Sequence, residues 1–301
     1  MTAHLTLSTA LLLTVPPLMW AGNAVVGRLV GDWVPPMTLN FFRWAIAFVC
    51  LLPLAAWVMR RNSPLWSAWR RFTLLGGLSV GLYNALQYLA LQTSSPINVT
   101  LVAASTPIWM LAVGRLFFAA RISRQQLMGA SLSLSGVLLV LSRGQWEVLA
   151  HLKLVPGDVY VLLASVAWAF YSWMLAQPGR EPSEIRSNWA AFLLAQIVFG
   201  LAWSGLFAAG EWALTPATIH WSWPLGAALL FVALGPAVLA YRCWGAGVQR
   251  AGPTVASFFA NLTPLFAALL SSALLGEPPR TYHVLAFALI VGGIVVSSRQ
   301  R

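Results

Sequence analysis

Apolar residues in this chain run on in long blocks, with no period-2 alternation, and each block ends in turn residues or charges. A bilayer-spanning helix needs about 20 apolar residues. Ten blocks meet that need, at about 7–30, 37–59, 72–92, 97–118, 125–142, 157–177, 187–209, 224–249, 254–275 and 281–298. The breaks carry turn chemistry, as in Val34-Pro35-Pro36, Ser94-Ser95-Pro96, Ala251-Gly252-Pro253 and Glu277-Pro278-Pro279. The first block has no Lys or Arg before it and runs uncharged from Leu5 to Gly27, which predicts a retained span rather than a cleaved leader. The longest loops, near 143–156 and 210–223, leave no room for a soluble domain. The expected fold is all-α and membrane-integral, with ten transmembrane helices.

Composition agrees. Of 301 residues, 59% are hydrophobic and 8% charged, with mean hydropathy +0.76. A soluble domain carries roughly 25% charged residues. The net charge of +11 would suit nucleic acid, but its distribution does not: the basic residues sit at block ends. Short loops rich in Arg and Lys stay cytoplasmic. With the N-terminus inside, cytoplasmic segments hold Arg60, Arg61, Arg70, Arg71, Arg121, Arg124, Arg180, Arg186, Arg250, Arg299 and Arg301. The outer loops hold Arg143, Lys153 and Arg280. Both termini are therefore expected in the cytoplasm, in a cell inner membrane. Cys50 and Cys243 fall inside apolar blocks and give neither a disulfide framework nor a metal spacing. No cofactor motif is present.

Five spans per half makes the halves antiparallel. The Arg-flanked loop between blocks two and three has its counterpart between Trp212 and Trp223, which holds no Arg or Lys. Pro96, Pro107 and Gly136 recur with the spacing of Pro253, Pro264 and Gly293, and Gln92 and Thr106 match Gln249 and Thr263. Upstream, in a shifted register, Trp20 and Asn40 match Trp168 and Asn188. The expected organisation is a first five-helix repeat at 1–145 and a second, inverted one at 146–301, forming one transport domain. Because one chain holds both halves, it is expected to work as a monomer in the bilayer.

The stretches "TSSPINVTLVAASTPIWMLAV" at 93–113 and "AGPTVASFFANLTPLFAALLSSALLGEPP" at 251–279 resemble the fourth and ninth spans of the drug/metabolite transporter superfamily, in its EamA-type branch. The first half departs from the pattern, with Ala119-Ala120 where the second has Gly276-Glu277. The Trp-rich spans look most like the YddG-type exporters of aromatic amino acids. The resemblance implies that spans 1, 3, 4, 6, 8 and 9 line a central cavity.

The polar and aromatic residues of those spans are the candidates for substrate binding: Trp20, Asn23, Tyr83, Gln87, Tyr88, Trp109, Trp168, Tyr171, Tyr241, Arg242, Trp244 and Asn261. Residues three and four apart share a helix face, so each set either points into a cavity or packs helix on helix. Trp33, Trp57, Trp66, Trp69, Trp212, Trp221 and Trp223 lie at span ends, where indole prefers the interface. Arg242 lies well inside its span. It is expected either to pair with a substrate carboxylate or to reach back to the inner face. Arg28 is expected to snorkel, and Arg115 reads as a topology charge. Asn40 and Arg43 are expected at the outer mouth, with Arg43 the second candidate for a carboxylate. Pro107 and Pro264, in mid-span, predict paired kinks that act as gating hinges or as fixed bends.

Asp32, Glu147, Asp158, Glu181, Glu184, Glu211 and Glu277 all fall in loops or at span ends. That disfavours a lipophilic-cation antiporter, which needs a deep carboxylate. No histidine is mid-span. A membrane-embedded enzyme would need a catalytic set inside the spans, and none is found. A channel would need rings of charge or filter carbonyls. The expected activity is secondary transport, in the export direction, of small amphipathic metabolites, foremost aromatic and other apolar amino acids, through a central aromatic-lined cavity by alternating access. Another metabolite or drug class is the alternative.

Overall fold

A computed structural model describes residues 5–94, 96–151, 153, 155–179, 181–275 and 281–298. Ser95, Arg180, the Gly276-Glu277 turn with Pro278 and Pro279, Arg280, Arg299 and Arg301 lie outside the described residues, as does the side chain of Arg28. Among the described residues the chain is helical, with no strand. Eight stretches are long and apolar enough to cross a membrane: Leu7–Gly27, Pro36–Met59, Val99–Phe117, Pro156–Ala176, Trp189–Leu214, Trp223–Ala251, Pro253–Leu270 and Thr281–Ser298. The chain is a multi-pass membrane protein. Two further helical runs, Trp69–Thr93 and Arg124–Leu141, occupy the remaining expected blocks.

The long runs are numbered in order. α1 is Leu7–Leu29 and α2 is Pro36–Ala55. α3 joins Trp69–Gly76, Gly77–Tyr83 and Asn84–Thr93, and α4 joins Pro96–Ala103 and Thr106–Phe117. α5 is Arg124–Leu141, α6 is Pro156–Ala176 and α7 is Trp189–Leu214. α8 joins Trp223–Val232, Ala233–Leu239 and Ala240–Ala251. α9 joins Pro253–Ala260 and Thr263–Leu275, and α10 is Thr281–Ser298.

Sequence chemistry explains the ends. Pro36, Pro156 and Pro253 open their helices, where the missing N–H costs nothing. Ser123 caps α5 and Gln126 returns the bond, a capping box. Gly252 adopts φ 81°, a conformation that admits glycine without strain, and this lets α8 turn directly into α9.

Two features differ from the expected unbroken spans. The middle segments of α3 and α8, Gly77–Tyr83 and Ala233–Leu239, are π-helical. In α8 this stretch contains Pro236, which cannot donate to the helical ladder. In α3 it contains Gly77 and Gly81, and a Cβ on Gly81 would sit 2.7 Å from Trp203 of α7. The second difference corrects the proline reading. Pro107 and Pro264 do not kink continuous helices. Each is the second residue of a new helix after a break, at Ala104–Ser105 in α4 and Asn261–Leu262 in α9. Hydroxyls mend the first break: Ser105 donates to Val102 O at 2.5 Å and Thr106 to Ala103 O at 2.6 Å.

α5 and α10 pack through small residues. A Cβ on Gly136 would meet Ala286 O at 2.8 Å, and one on Gly293 would meet Gly129 O at 2.7 Å. In the register that pairs Pro107 with Pro264, these two contacts are each other's mates. Close backbone approach through small residues is how helices associate where lipid removes the hydrophobic drive.

Candidate functional site

Six aromatic side chains from α1, α3, α6 and α8 meet in one cluster. Trp168, 2% exposed, is its hub. Its ring centroid lies 5.4 Å from Trp20, 4.6 Å from Tyr83, 5.0 Å from Tyr171, 5.5 Å from Tyr241 and 5.4 Å from Trp244. Trp168 and Tyr171 are three residues apart on α6, as are Tyr241 and Trp244 on α8, so each pair shares a helix face. Trp20 and Trp168, the matched pair of the sequence repeat, meet edge to face at 84°. Such tilted pairs align ring edges with ring faces.

Three of the six rings have their polar tips held. Trp244 Nε1 donates to Ser172 Oγ at 3.1 Å, and Gln87 Nε2 donates to the Tyr83 hydroxyl at 3.0 Å. The Tyr241 hydroxyl donates to Ser79 O at 3.3 Å. That carbonyl belongs to the π-helical stretch of α3, whose wider turn leaves backbone oxygens within reach of side chains. Asn40 Nδ2 takes the next one, Val80 O, at 3.1 Å.

Arg43 of α2 lies beside this cluster and is 1% exposed. One terminal nitrogen donates to Pro236 O at 3.2 Å, in the π-helical stretch of α8. The other reaches Asn84 Oδ1 at 3.4 Å, and its Nε has no partner. The guanidinium carbon sits 5.3 Å from the Trp44 ring, which in turn meets Tyr241 edge-on at 4.9 Å. Both of its acceptors are neutral, and among the described residues no carboxylate pairs with Arg43.

The other candidates lie elsewhere. Of the two expectations for Arg242, the one that points it toward the aromatic residues is not met. It is exposed, with its guanidinium 4.3 Å over the ring of Trp189 at the start of α7. Its neighbours Tyr241, Cys243 and Trp244 face inward, which leaves position 242 on the outer side of α8. Stacking on indole gives the charge an amphipathic partner. Arg242→Ala is accordingly expected to leave substrate affinity unchanged in a binding assay. Tyr88 packs in two satellite clusters with Val30, Leu39, Met37 and Ala208. Trp109 donates to Ser105 Oγ at 3.1 Å across the α4 break, outside the ring cluster. Asn261 is buried at the α9 break and donates to Ser133 of α5 at 2.9 Å. Asn23 is half-buried on α1, three residues from Trp20.

Trp44, Ser79 and Ser172 complete the candidate site without having been among the sequence candidates, and Asn84, beside Tyr83 on α3, joins them. Trp44 stands on α2, outside the spans that the resemblance implies. Ser79 contributes through its backbone, which no side-chain pattern reveals. Asn84 was visible as a polar residue in an apolar run.

Two carboxylates tie helix ends together. Glu211, at the end of α7, accepts from the backbone N–H groups of Met37 (3.0 Å) and Thr38 (2.8 Å) and from the Thr38 hydroxyl (2.8 Å). It thereby caps α2, whose own N-cap Pro35 offers no side-chain acceptor. At the opposite end of the bundle, Glu181 binds Arg71 Nε at 3.4 Å and pairs closely with Arg186. Burial pushes its carboxyl pKa up. The N–H groups of Gly179 and Glu181 and the charges of Arg71 and Arg186 outweigh this and hold it below the usual value. Arg71 also donates to Gln177 O at 2.9 Å and to Met174 O, so the start of α3 is fastened to the end of α6.

Residues 7–142 and 155–299 each match the EamA-like transporter family, and the chain belongs to that family. A protein of Archaeoglobus fulgidus, named as an uncharacterized transporter, is 26% identical over 300 residues, covering 97% of this chain and 98% of its own. The aromatic amino acid exporter YddG of Ancylobacter novellus is 24% identical over 287 residues, covering 93% of each. A solved crystal structure shares the fold, with TM-score 0.76 at 23% identity and 96% of both chains covered.

Proposed function

We propose that this chain is a secondary transporter that exports amino acids with aromatic or other apolar side chains. It works as a monomer of ten transmembrane helices, arranged as two inverted five-helix repeats at 1–145 and 146–301. The observation that carries the substrate reading is the cluster of Trp20, Tyr83, Trp168, Tyr171, Tyr241 and Trp244, drawn from both halves and closed around Trp168. Aromatic faces in a dry setting suit an aromatic or aliphatic side chain. The likeness to an aromatic amino acid exporter supports the same class. The separate family matches at 7–142 and 155–299 support the repeat, as does the start of α2 meeting the end of α7.

The Arg-rich end of the bundle faces the cytoplasm, with both termini there and the protein in the inner membrane. The rings touch one another in this conformation, so transport requires them to part toward one side at a time. The Pro107 and Pro264 breaks supply hinges, since each lets one half of a span tilt against the other. No carboxylate of the described residues lies deep in a span, so movement follows the substrate gradient or the membrane potential rather than a carboxylate proton relay.

The test is counterflow into liposomes holding the purified chain, with a panel of amino acids, drugs and nucleotide sugars. Preferential exchange of phenylalanine, tyrosine, tryptophan or leucine is expected. Exchange confined to drugs or nucleotide sugars would sink the substrate reading, and a C-terminal reporter scoring outside would sink the orientation.

A further inference from the structure

Arg43 is a buried cation with no anion. Its side chain enters two turns into α2, and every neighbour that satisfies it is neutral: Pro236 O at 3.2 Å, Asn84 Oδ1 at 3.4 Å and the face of Trp44. The Nε is unpartnered. A charge inside a membrane span is costly, and such residues face a partner or a pathway. The fold gives no reason for the charge. In the register that pairs Trp20 with Trp168, the position matching Arg43 is Ala191, and α7 has no Lys or Arg between Trp189 and Leu214. Nor does packing explain it, because a neutral side chain of similar length would reach the same carbonyl.

The surroundings place this cation at the edge of the aromatic cluster. Trp44, against which Arg43 lies, meets Tyr241 at 4.9 Å, and Asn84 follows Tyr83 in sequence. Asn40, 1% exposed, sits one turn before Arg43 with its Oδ1 unpartnered. The region therefore presents a guanidinium with a free N–H, an amide that holds it at a long distance, and rings on the far side.

We infer that Arg43 is the substrate's carboxylate anchor, with Asn84 as the neutral group that holds the guanidinium until a carboxylate displaces it. This rests on the transport reading above and deepens it: the substrate is a carboxylate whose apolar side chain lies among Trp20, Tyr83, Trp168 and Tyr241. A carboxylate matches the planar fork of arginine, whereas an amide oxygen at 3.4 Å uses it poorly. The exchange of Asn84 for substrate brings a full negative charge to a site that carries an uncompensated positive one.

The experiment compares L-phenylalanine with L-phenylalaninamide, which keeps ring and amine but lacks the carboxylate. The full chain is read by ligand-induced thermal shift in detergent and by counterflow in liposomes. The native protein is expected to prefer phenylalanine. Arg43→Gln is expected to weaken phenylalanine by roughly 10- to 150-fold, the range of a hydrogen bond to a charged group, while phenylalaninamide changes little. Arg43→Lys restores part of the preference, because it keeps the charge but not the fork. Asn84→Asp carries the test should Arg43→Gln fail to fold. It gives Arg43 a resident carboxylate, so phenylalanine affinity falls by a similar factor and thermal stability does not drop. If the native protein takes phenylalanine but Arg43→Gln and Asn84→Asp do so equally well, the anchor is elsewhere and the transport reading stands. Equal uptake of acid and amide by the native protein overturns the anchor in the same way. If the native protein takes neither compound, the amino-acid reading falls and the anchor falls with it.

Discussion

Trp168→Ala should abolish amino-acid exchange and destabilise the protein by about 3–5 kcal/mol, the usual cost of truncating a large buried aromatic. The basis is geometric. Trp168 touches five other rings from four helices, and its indole is the piece they share. Removing it opens a void that Trp20, Tyr83 and Trp244 cannot all collapse into, because each is held at its polar tip or backbone by a different helix. Trp168→Phe keeps an aromatic face and should retain both fold and measurable exchange. Thermal unfolding in detergent separates the two effects from each other. Wild-type exchange by a folded Trp168→Ala protein would remove the cluster from the transport path.

Glu181→Ala should be the most disruptive change in a loop. The Glu181 side chain is inaccessible, yet it serves two arginines. Its loss leaves Arg71 and Arg186 facing one another without the anion between them. Both are about one-fifth exposed, so water and salt soften the penalty to about 1–3 kcal/mol. The pH dependence has a definite sign. The carboxyl is held below its ordinary value, so its contribution is fully present above the unfolded pKa, about 4.3, and fades as pH falls through the lower native value. The stability gap between the native protein and Glu181→Gln should therefore be constant from neutrality down to about pH 5 and close at more acidic pH. A gap that persists unchanged in acid would mean that the ionised carboxylate contributes nothing.

Stretches long and apolar enough to cross a membrane occupy eight of the expected blocks, and helical runs the other two, because block length and turn chemistry are written in consecutive residues. The site was legible in part. Trp20, Trp168, Tyr171, Tyr241 and Trp244 stood out as large amphipathic rings at helical spacing, and the structure brings them together. What decided the two arginines was rotation about the helix axis. Arg242 and Tyr241 are adjacent, so one faces in and the other out, and a span that is apolar on every side gives no phase from which to choose. Arg43 reads as closer to the surface than Arg242 because sequence distance to a loop is the one measure of depth that the chain itself offers. The helix around it is buried by α3, α7 and α8, which no count of residues along α2 records. Glu211 and Glu181 look like ordinary loop charges until helices distant in sequence bring their N–H groups or guanidiniums to them.

The π-helical stretches of α3 and α8 carry a consequence for phase. Each residue of an α-helix turns the chain by about 100°, and a π-helical turn takes up more residues, so it rotates everything beyond it relative to everything before it. Trp69–Gly76 and Asn84–Thr93 are thus two helices with independent bearings on one axis, and so are Trp223–Val232 and Ala240–Ala251. In each pair, one half answers to the loop and lipid at its own end, while the other presents Asn84 and Gln87, or Tyr241 and Trp244, to the middle of the protein. A lost residue in either stretch would behave like a slipped gear tooth: both halves stay helical, and the residues beyond it point somewhere else.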